Sequence, residues 1–184
     1  MALSPQAAAK KSRAACKALT TSEEFLQARS VMIYLSTPGE VDTAEIALAA
    51  WQSGKTVLAP RVSWEHKHMA PLEIRGFDNG LAVGRNNIRE PIAGVPWPLE
   101  EIDLVVVPAM AFDRHGYRLG RGGGFYDRFL AQPRLRAFAC GLAFSEQVVD
   151  AVPTHEHDRP VHMLVTDEGV LRFDRASRSR IVVE

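Results

Sequence analysis

The chain is poor in the features that would send it into a membrane, out of the cell or onto a nucleic acid. Of its 184 residues only two are cysteine, Cys16 and Cys140, far apart in sequence. They could form at most one bridge, and neither a disulfide framework nor a C-x-x-C metal pattern can be built from them. Cys140 stands in the apolar run "AFACGLAF", where a buried thiol is expected. No run approaches the ~18 apolar residues of a membrane span. The amino terminus, "MALSPQAAAKKSRAACKAL", has neither the basic start nor the long apolar stretch of a secretory signal. A cytoplasmic protein without membrane attachment is therefore expected. Charge of one sign is not in excess either: Lys+Arg and Asp+Glu are both 22. A dedicated nucleic-acid binder would show a basic surplus, so none is expected here, and any attraction for anions must be local. Repeats and low-complexity segments are lacking as well.

What the chain does have is apolar material in short runs. Its 46% hydrophobic and 24% charged residues match an ordinary globular chain, and its length suits one domain spanning residues 1–184. Residues 1–20 carry an Ala- and Lys-rich amino-terminal helix. Thr21 and Glu24 have the spacing of a capping box. "VMIYL" (Val31–Leu35) reads as a buried strand, ended by "STPGE". Asp42 and Glu45 form a second capping box before a helix whose inner face carries Ile46, Ala49 and Ala50, with Gly54 just past its end. Thr56–Pro60 and Leu104–Met110 are further buried strands, as are "AFACGLAF", "HMLVTD" and "VLRF". Residues 61–100 are less regular, with "LEI" as a short strand. A helix is expected over Phe125–Ala131, and residues 174–184 form a polar tail. Helices alternating with wholly apolar strands predict an α/β fold: a mostly parallel sheet covered by helices on both faces, a Rossmann-like three-layer sandwich. Ligands in such sheets bind outside the carboxyl ends of the strands. That rule points to "STPGE", to the loop after Leu104–Met110 and to the segment after "AFACGLAF".

The second of these places holds "YRLGRGGGFYDRFLA" (Tyr117–Ala131), four glycines among arginines at the start of a helix. Glycines allow positive φ and close approach, and successive free N–H groups can form an anion nest. The helix start adds partial positive charge, and Arg118 and Arg121 can grip phosphate oxygens. The loop is neither a Walker A motif nor a dinucleotide fingerprint. Beside a bound triphosphate, Asp127 is placed to help hold Mg²⁺.

The run "VVVPAMAFDRHGYRLGRGGGFYDRFLA" (Val105–Ala131) resembles the signature of the 5-formyltetrahydrofolate cyclo-ligase family, also called methenyltetrahydrofolate synthetases. "YLSTPGEVDT", "GKTVLAP" and "LAFSEQVVDAVPTHEHDRPVHMLVTD" are similar to other segments of that family, so the likeness spans about residues 20–170. The resemblance implies an enzyme that uses ATP and Mg²⁺ to turn 5-formyltetrahydrofolate into 5,10-methenyltetrahydrofolate, through phosphorylation of the formyl oxygen and attack by N10. It further implies that Arg118, Leu119, Gly120, Arg121, Gly122, Gly123, Gly124, Phe125 and Tyr126 bind ATP. Leu35, Glu40, Arg121, Gly122, Gly123, Gly124 and Phe125 would contact the folate, Arg121 and Tyr126 would act in catalysis, and Asp127 and Asp158 would hold the metal. A monomer is expected. Two departures stand out. Phe125-Tyr126 replaces the family's usual Tyr-Tyr, and "SPQAAAKKSRAACKAL" aligns with the family's second helix rather than its first, basic one. Lys10, Lys11 and Arg13 are the substitutes on offer.

Other readings compete. A paralogue that binds folate or nucleotide without turnover would show the same motifs. A sugar-phosphate isomerase would share the anion cradle but needs no aspartate pair. "HEHDRPVH", with His155, His157, Asp158 and His162, suggests zinc but has no common zinc spacing. His66 and His68 read as a solvated strand edge, and no G-x-S-x-G elbow supports a serine triad. Trp51 is expected in the core. Trp64 and Trp97 lie in irregular segments, where nothing in the sequence supports an aromatic wall for a pterin.

Overall fold

A computed structural model describes residues 3–173; the expected polar tail, 174–184, lies outside them. Among these residues the first element is α1 (Pro5–Thr20), capped by the Ser4 hydroxyl, which accepts from the Ala7 N–H at 3.2 Å. Next comes α2 (Glu23–Gln27). Its cap is Ser22, not Thr21: the Thr21 hydroxyl donates to the Lys17 carbonyl at 2.9 Å and so closes α1. Helix α3 (Ala44–Gln52) is entered through Thr43 rather than Asp42. The Thr43 hydroxyl donates to the Tyr34 carbonyl (2.7 Å), while the Asp42 carboxylate accepts from the Ala44 N–H (3.1 Å). At α2 the hydroxyl of the next residue takes the cap, whereas at α3 the Thr43 side chain caps nothing and Asp42, one residue earlier, supplies the carboxylate that bonds the first helical N–H. On α3 the fully buried positions are Ile46, Ala47 and Ala50. The last helix is α4 (Phe125–Leu130).

The main sheet is built from β1 (Ser30–Met32), β2 (Thr56–Ser63), β3 (His68–Glu73), β6 (Leu104–Val107), β9 (Phe138–Leu142), β11 (Met163–Val165) and β12 (Val170–Arg172). Its order is β12-β11-β9-β6-β1-β2-β3. The interior pairs are parallel, and only the edge strands β3 and β12 run antiparallel to their neighbours. Strands buried on both faces read as unbroken apolar runs, which is why β6 ("LVVV") was legible and is wholly buried. The region expected to be irregular instead extends β2 into a hairpin with β3, followed by the small β4 (Leu81–Val83) and β5 (Arg89–Pro91) pair. Three further short strands, β7 (Ala111–Asp113), β8 (Arg118–Leu119) and β10 (Val148–Val149), form a separate sheet.

Two apolar clusters lie on opposite faces of the main sheet. The first sets Leu19, Phe25 and Ile46 from α1, α2 and α3 against Val31, Val57 and Val106. The second sets Phe129 of α4 and Phe112 of β7 against Met32, Leu58 and Val105. Helices therefore cover both faces, but the second is shared between α4 and the three-stranded sheet. Gly141 allows that layer to close: a Cβ there would lie 2.6 Å from the Phe112 ring. Cys16 and Cys140 are free, buried thiols, and burial pushes Cys16 up to about 12. No helix of the described residues is long and apolar enough to cross a membrane.

Candidate active site

From β1 the chain crosses through α3 to β2 on one side, while β6 lies on the other. The crevice between the carboxyl ends of β1 and β6 is therefore the switch point at which such sheets bind ligands. A cavity of about 240 Å³ opens there. Leu35, Thr37 and Glu40 form its β1 side and Pro108 and Ala109 its β6 side, with the glycine loop across the mouth. Its far wall comes from the two hairpins, chiefly Val62, Trp64, Met69 and Ile88.

Glu40 is held from both ends. One carboxylate oxygen accepts from the Thr37 N–H (2.8 Å) and hydroxyl (3.0 Å), and the other accepts from Arg121 at 3.2 Å. Arg121 also donates to the Thr37 hydroxyl at 2.8 Å, so the glycine loop reaches across the cavity to the β1 loop. Half of the Arg121 side chain remains exposed. Arg118 behaves differently. Its side chain is only 5% exposed, and its guanidinium donates to Asp127 at 2.6 Å and to the Arg159 carbonyl at 2.5 Å. Burial pulls it below the ordinary arginine value, opposed by the charge of Asp127. Arg118 is thus first the partner of Asp127, with its remaining donors available to a phosphate.

Asp127 accepts through one oxygen only, from Arg118 and from the Arg159 N–H (3.1 Å). Asp158 precedes Arg159 and caps its own turn, accepting from the His155 N–H at 2.8 Å through one oxygen. Each carboxylate keeps a second oxygen with no partner among the described residues. These are hard oxygen donors brought close by one backbone bond, and they fit Mg²⁺, which takes one or two carboxylates and completes its shell with phosphate oxygens and water. No cluster of three His, Cys, Asp or Glu exists among the described residues. In the zinc-like stretch, His157 pairs with Glu156 at the surface and a His162 ring nitrogen lies 2.8 Å from the Ala139 N–H.

Among the described residues the N–H groups of Gly122, Gly123 and Gly124 have no hydrogen-bond partner, as an anion nest requires. Gly124 enters α4 at φ 60° with no side-chain cap, leaving the helix start open. Tyr126 lines the cavity, and burial, then the nearby Glu40 charge, push its hydroxyl above the usual tyrosine value. Burial therefore keeps it a neutral phenol.

The chain matches the model of the 5-formyltetrahydrofolate cyclo-ligase family over residues 1–167. It is 32% identical over 173 residues to the 5-formyltetrahydrofolate cyclo-ligase of Escherichia coli (strain K12), covering 92% of this chain and 94% of that protein. With the enzyme of that name from Haemophilus influenzae it shares 36% over 142 residues, 75% of each chain. The NMR structure of Aquifex aeolicus 5,10-methenyltetrahydrofolate synthetase superposes with a TM-score of 0.80 at 32% identity, covering 99% of this chain and 89% of that one. The chain belongs to the 5-formyltetrahydrofolate cyclo-ligase family.

Within this cyclo-ligase fold the residues singled out in the sequence do not all gather at one place. Leu35, Glu40, Arg118, Gly120, Arg121, Gly123, Gly124, Phe125, Tyr126 and Asp127 line the cavity, whereas Leu119, Gly122 and Asp158 do not. Leu119 pairs with Ala111 in the small sheet and leaves its side chain exposed. The third expected place, after β9, supports the site instead of lining it. Gln147 there donates to the Ala109 carbonyl at 3.0 Å, and Ser145 and Glu146 engage Lys11. Lys11 is therefore neutralised by Glu146 and Asp167, each at 2.7 Å. Trp51 packs edge-on to Phe77 against the first cluster, as expected of a core residue. Trp97 packs against the second cluster. Trp64 is the residue that sequence reasoning left unassigned: its ring meets Phe125 edge-on at 4.9 Å, and Arg85 covers it at 4.7 Å. No local pattern marks Trp64, because only the hairpin carries it to the cavity.

Proposed function

We propose that the chain is a 5-formyltetrahydrofolate cyclo-ligase that uses ATP and Mg²⁺ to make 5,10-methenyltetrahydrofolate. The observation that carries this reading is the glycine loop: three free N–H groups beside a cavity whose opposite side presents the Glu40 carboxylate. A nest on one side suits a triphosphate. A carboxylate on the other suits the N–H and amino donors of a pterin, walled by Leu35, Trp64 and Phe125.

In this reading the formyl oxygen attacks the γ-phosphorus of ATP and ADP leaves. N10 then attacks the formyl carbon and loses its proton, the C–O bond breaks and phosphate departs, leaving the methenyl bridge. Phosphoryl transfer of this kind depends on positioning and charge neutralisation. Arg121, Gly120 and the N–H groups of Gly122–Gly124 bind and orient the phosphates. Arg118 fixes Asp127, and Tyr126, as a neutral phenol, donates a hydrogen bond and does not act as a base. Asp127 and Asp158 would hold Mg²⁺, which would neutralise triphosphate charge. We also propose a cytoplasmic, single-domain monomer acting on small molecules.

The test is absorbance-followed methenyltetrahydrofolate formation from 5-formyltetrahydrofolate, with ATP and with or without Mg²⁺. Turnover that needs both is expected. The second reading, a relative that binds without turnover, is favoured by the neutralised state of Lys11; it predicts binding of both substrates and no product.

A further inference from the structure

We propose that Arg128 is a positioning residue of the nucleotide site, acting through the backbone of the glycine loop; this rests on the functional reading above. Arg128 lies one residue beyond Asp127, exposed on the outer side of the loop and outside the cavity wall. Its side chain nevertheless makes three specific contacts. One guanidinium N–H donates to the Gly123 carbonyl at 2.5 Å, and another donates to the Lys67 carbonyl at 2.6 Å. The guanidinium also lies over the Phe125 ring, 5.3 Å from its centre. Lys67 sits in the β2–β3 turn, three residues after Trp64, with φ 50°. One side chain thus ties the glycine loop to the hairpin that forms the far wall. Arg85, Trp64, Phe125 and Arg128 make a continuous cation–ring–ring–cation series, with the two rings edge-on and both arginines on the side away from the cavity lining.

The consequence for the nest follows from peptide geometry. The Gly123–Gly124 peptide is trans, so its C=O and N–H point in opposite directions. Holding the Gly123 carbonyl outward on Arg128 turns the Gly124 N–H to the other side, toward the cavity that Gly123 and Gly124 line. The loop cannot easily hold that orientation alone, since glycine is the residue least restricted in φ and ψ. Gly124 is also what admits the guanidinium: a Cβ there would lie 2.9 Å from an Arg128 nitrogen. Lysine could not replace this arrangement. Its single ammonium is a point charge on a flexible stem, whereas the planar guanidinium spans two carbonyls at once.

The experiment compares the wild-type chain with Arg128→Ala and Arg128→Lys by titration calorimetry with Mg²⁺–ATP, and separately by amide hydrogen exchange of the nucleotide-free protein. Both variants are expected to bind ATP about tenfold more weakly, the effect of losing one charge-assisted hydrogen bond's worth of order. Both should also exchange amide protons faster over residues 122–125, while affinity for 5-formyltetrahydrofolate falls less. Wild-type affinity in Arg128→Ala would overturn the proposal. So would full recovery in Arg128→Lys, because a through-space charge would then suffice. If the wild type binds no ATP, the functional reading fails; the exchange comparison still decides the positioning role, and unchanged loop exchange in both variants refutes it.

Discussion

Asp127 is expected to carry stability as well as metal affinity, and the two can be separated. Its partner Arg118 is 5% exposed, while Asp127 itself is 26% exposed. Removing one member of a buried pair leaves the other charge uncompensated and costs about 3–5 kcal/mol. Partial exposure of Asp127 and the retained bond from Arg118 to the Arg159 carbonyl reduce this, so Asp127→Ala should destabilise by roughly 2–3 kcal/mol. For a chain of this size that is a drop of about 5–10 °C in Tm. The decisive assay is a double-mutant cycle read by thermal and urea unfolding: Asp127→Ala, Arg118→Met and the pair. Replacing both charges removes the uncompensated guanidinium, so the double variant should be more stable than Asp127→Ala alone, with a coupling energy of about 1–3 kcal/mol. On the proposed function it should still fail to turn over, because the proposed metal ligand and an arginine of the proposed cradle are both gone. A Tm for Asp127→Ala within a degree of the wild type, or additive single effects, would refute the reasoning that Arg118 depends on that carboxylate.

Three further perturbations test other parts of the site. Glu40→Gln keeps one oxygen for the Thr37 turn but loses the charge facing Arg121 and the pterin side; folate affinity should fall about tenfold, one charged hydrogen bond, and ATP affinity less. Equal losses for both ligands would remove Glu40 from the folate side. Trp64→Ala deletes a ring from the far wall and should raise the folate KM roughly two- to tenfold, the range of an aromatic contact, with little change in Tm; an unchanged KM would show that the wall does not touch substrate. Lys11→Met tests the pair that holds α1 against β11. Burial raises Asp167, but the bonds from Lys11 and the Ser145 N–H outweigh it and hold the carboxyl below its ordinary value. A depressed acid stabilises above its unfolded pKa of about 4 and loses that contribution as pH falls through the folded value. Wild-type unfolding midpoints should therefore run above those of Lys11→Met by a constant margin down to about pH 5 and fall more steeply below it, as pH drops toward about 2; parallel profiles across that lower range would contradict the pairing.

Much of the framework could be read from local signals. The apolar runs at β6, β9 and β11 announced strands buried on both faces, and the glycine–arginine run announced a loop that opens a helix. These are short-range properties: side-chain burial on a pleated strand, backbone freedom at glycine, and free N–H groups at a helix start. The β2–β3 hairpin was legible only in part, through "LEI" and the His66/His68 strand edge: polar "SWEHKH" interrupts the apolar pattern at the turn, so neither the extension of β2 to Ser63 nor its six-pair register with the next strand could be read. The cap of α2 moved from Thr21 to Ser22 because the Thr21 hydroxyl has a nearer backbone partner in Lys17, while at α3 Asp42 bonds the first helical N–H from one position outside the cap residue Thr43.

The amino-acid sequence by itself determined the parallel core, the glycine–arginine loop that opens a helix, and the family, because each rests on residue type and spacing over a few neighbouring positions. Tertiary structure alone decided what faces the loop. It brought Glu40 to Arg121 across 81 positions of sequence, set Arg118 on Asp127 instead of in open solvent, and carried Trp64 and the Lys67 carbonyl to the far wall. The physical reason is that a crevice at a switch point is assembled from strand ends adjacent in the sheet, and sheet adjacency is fixed by packing both faces of the sheet, which no local stretch encodes.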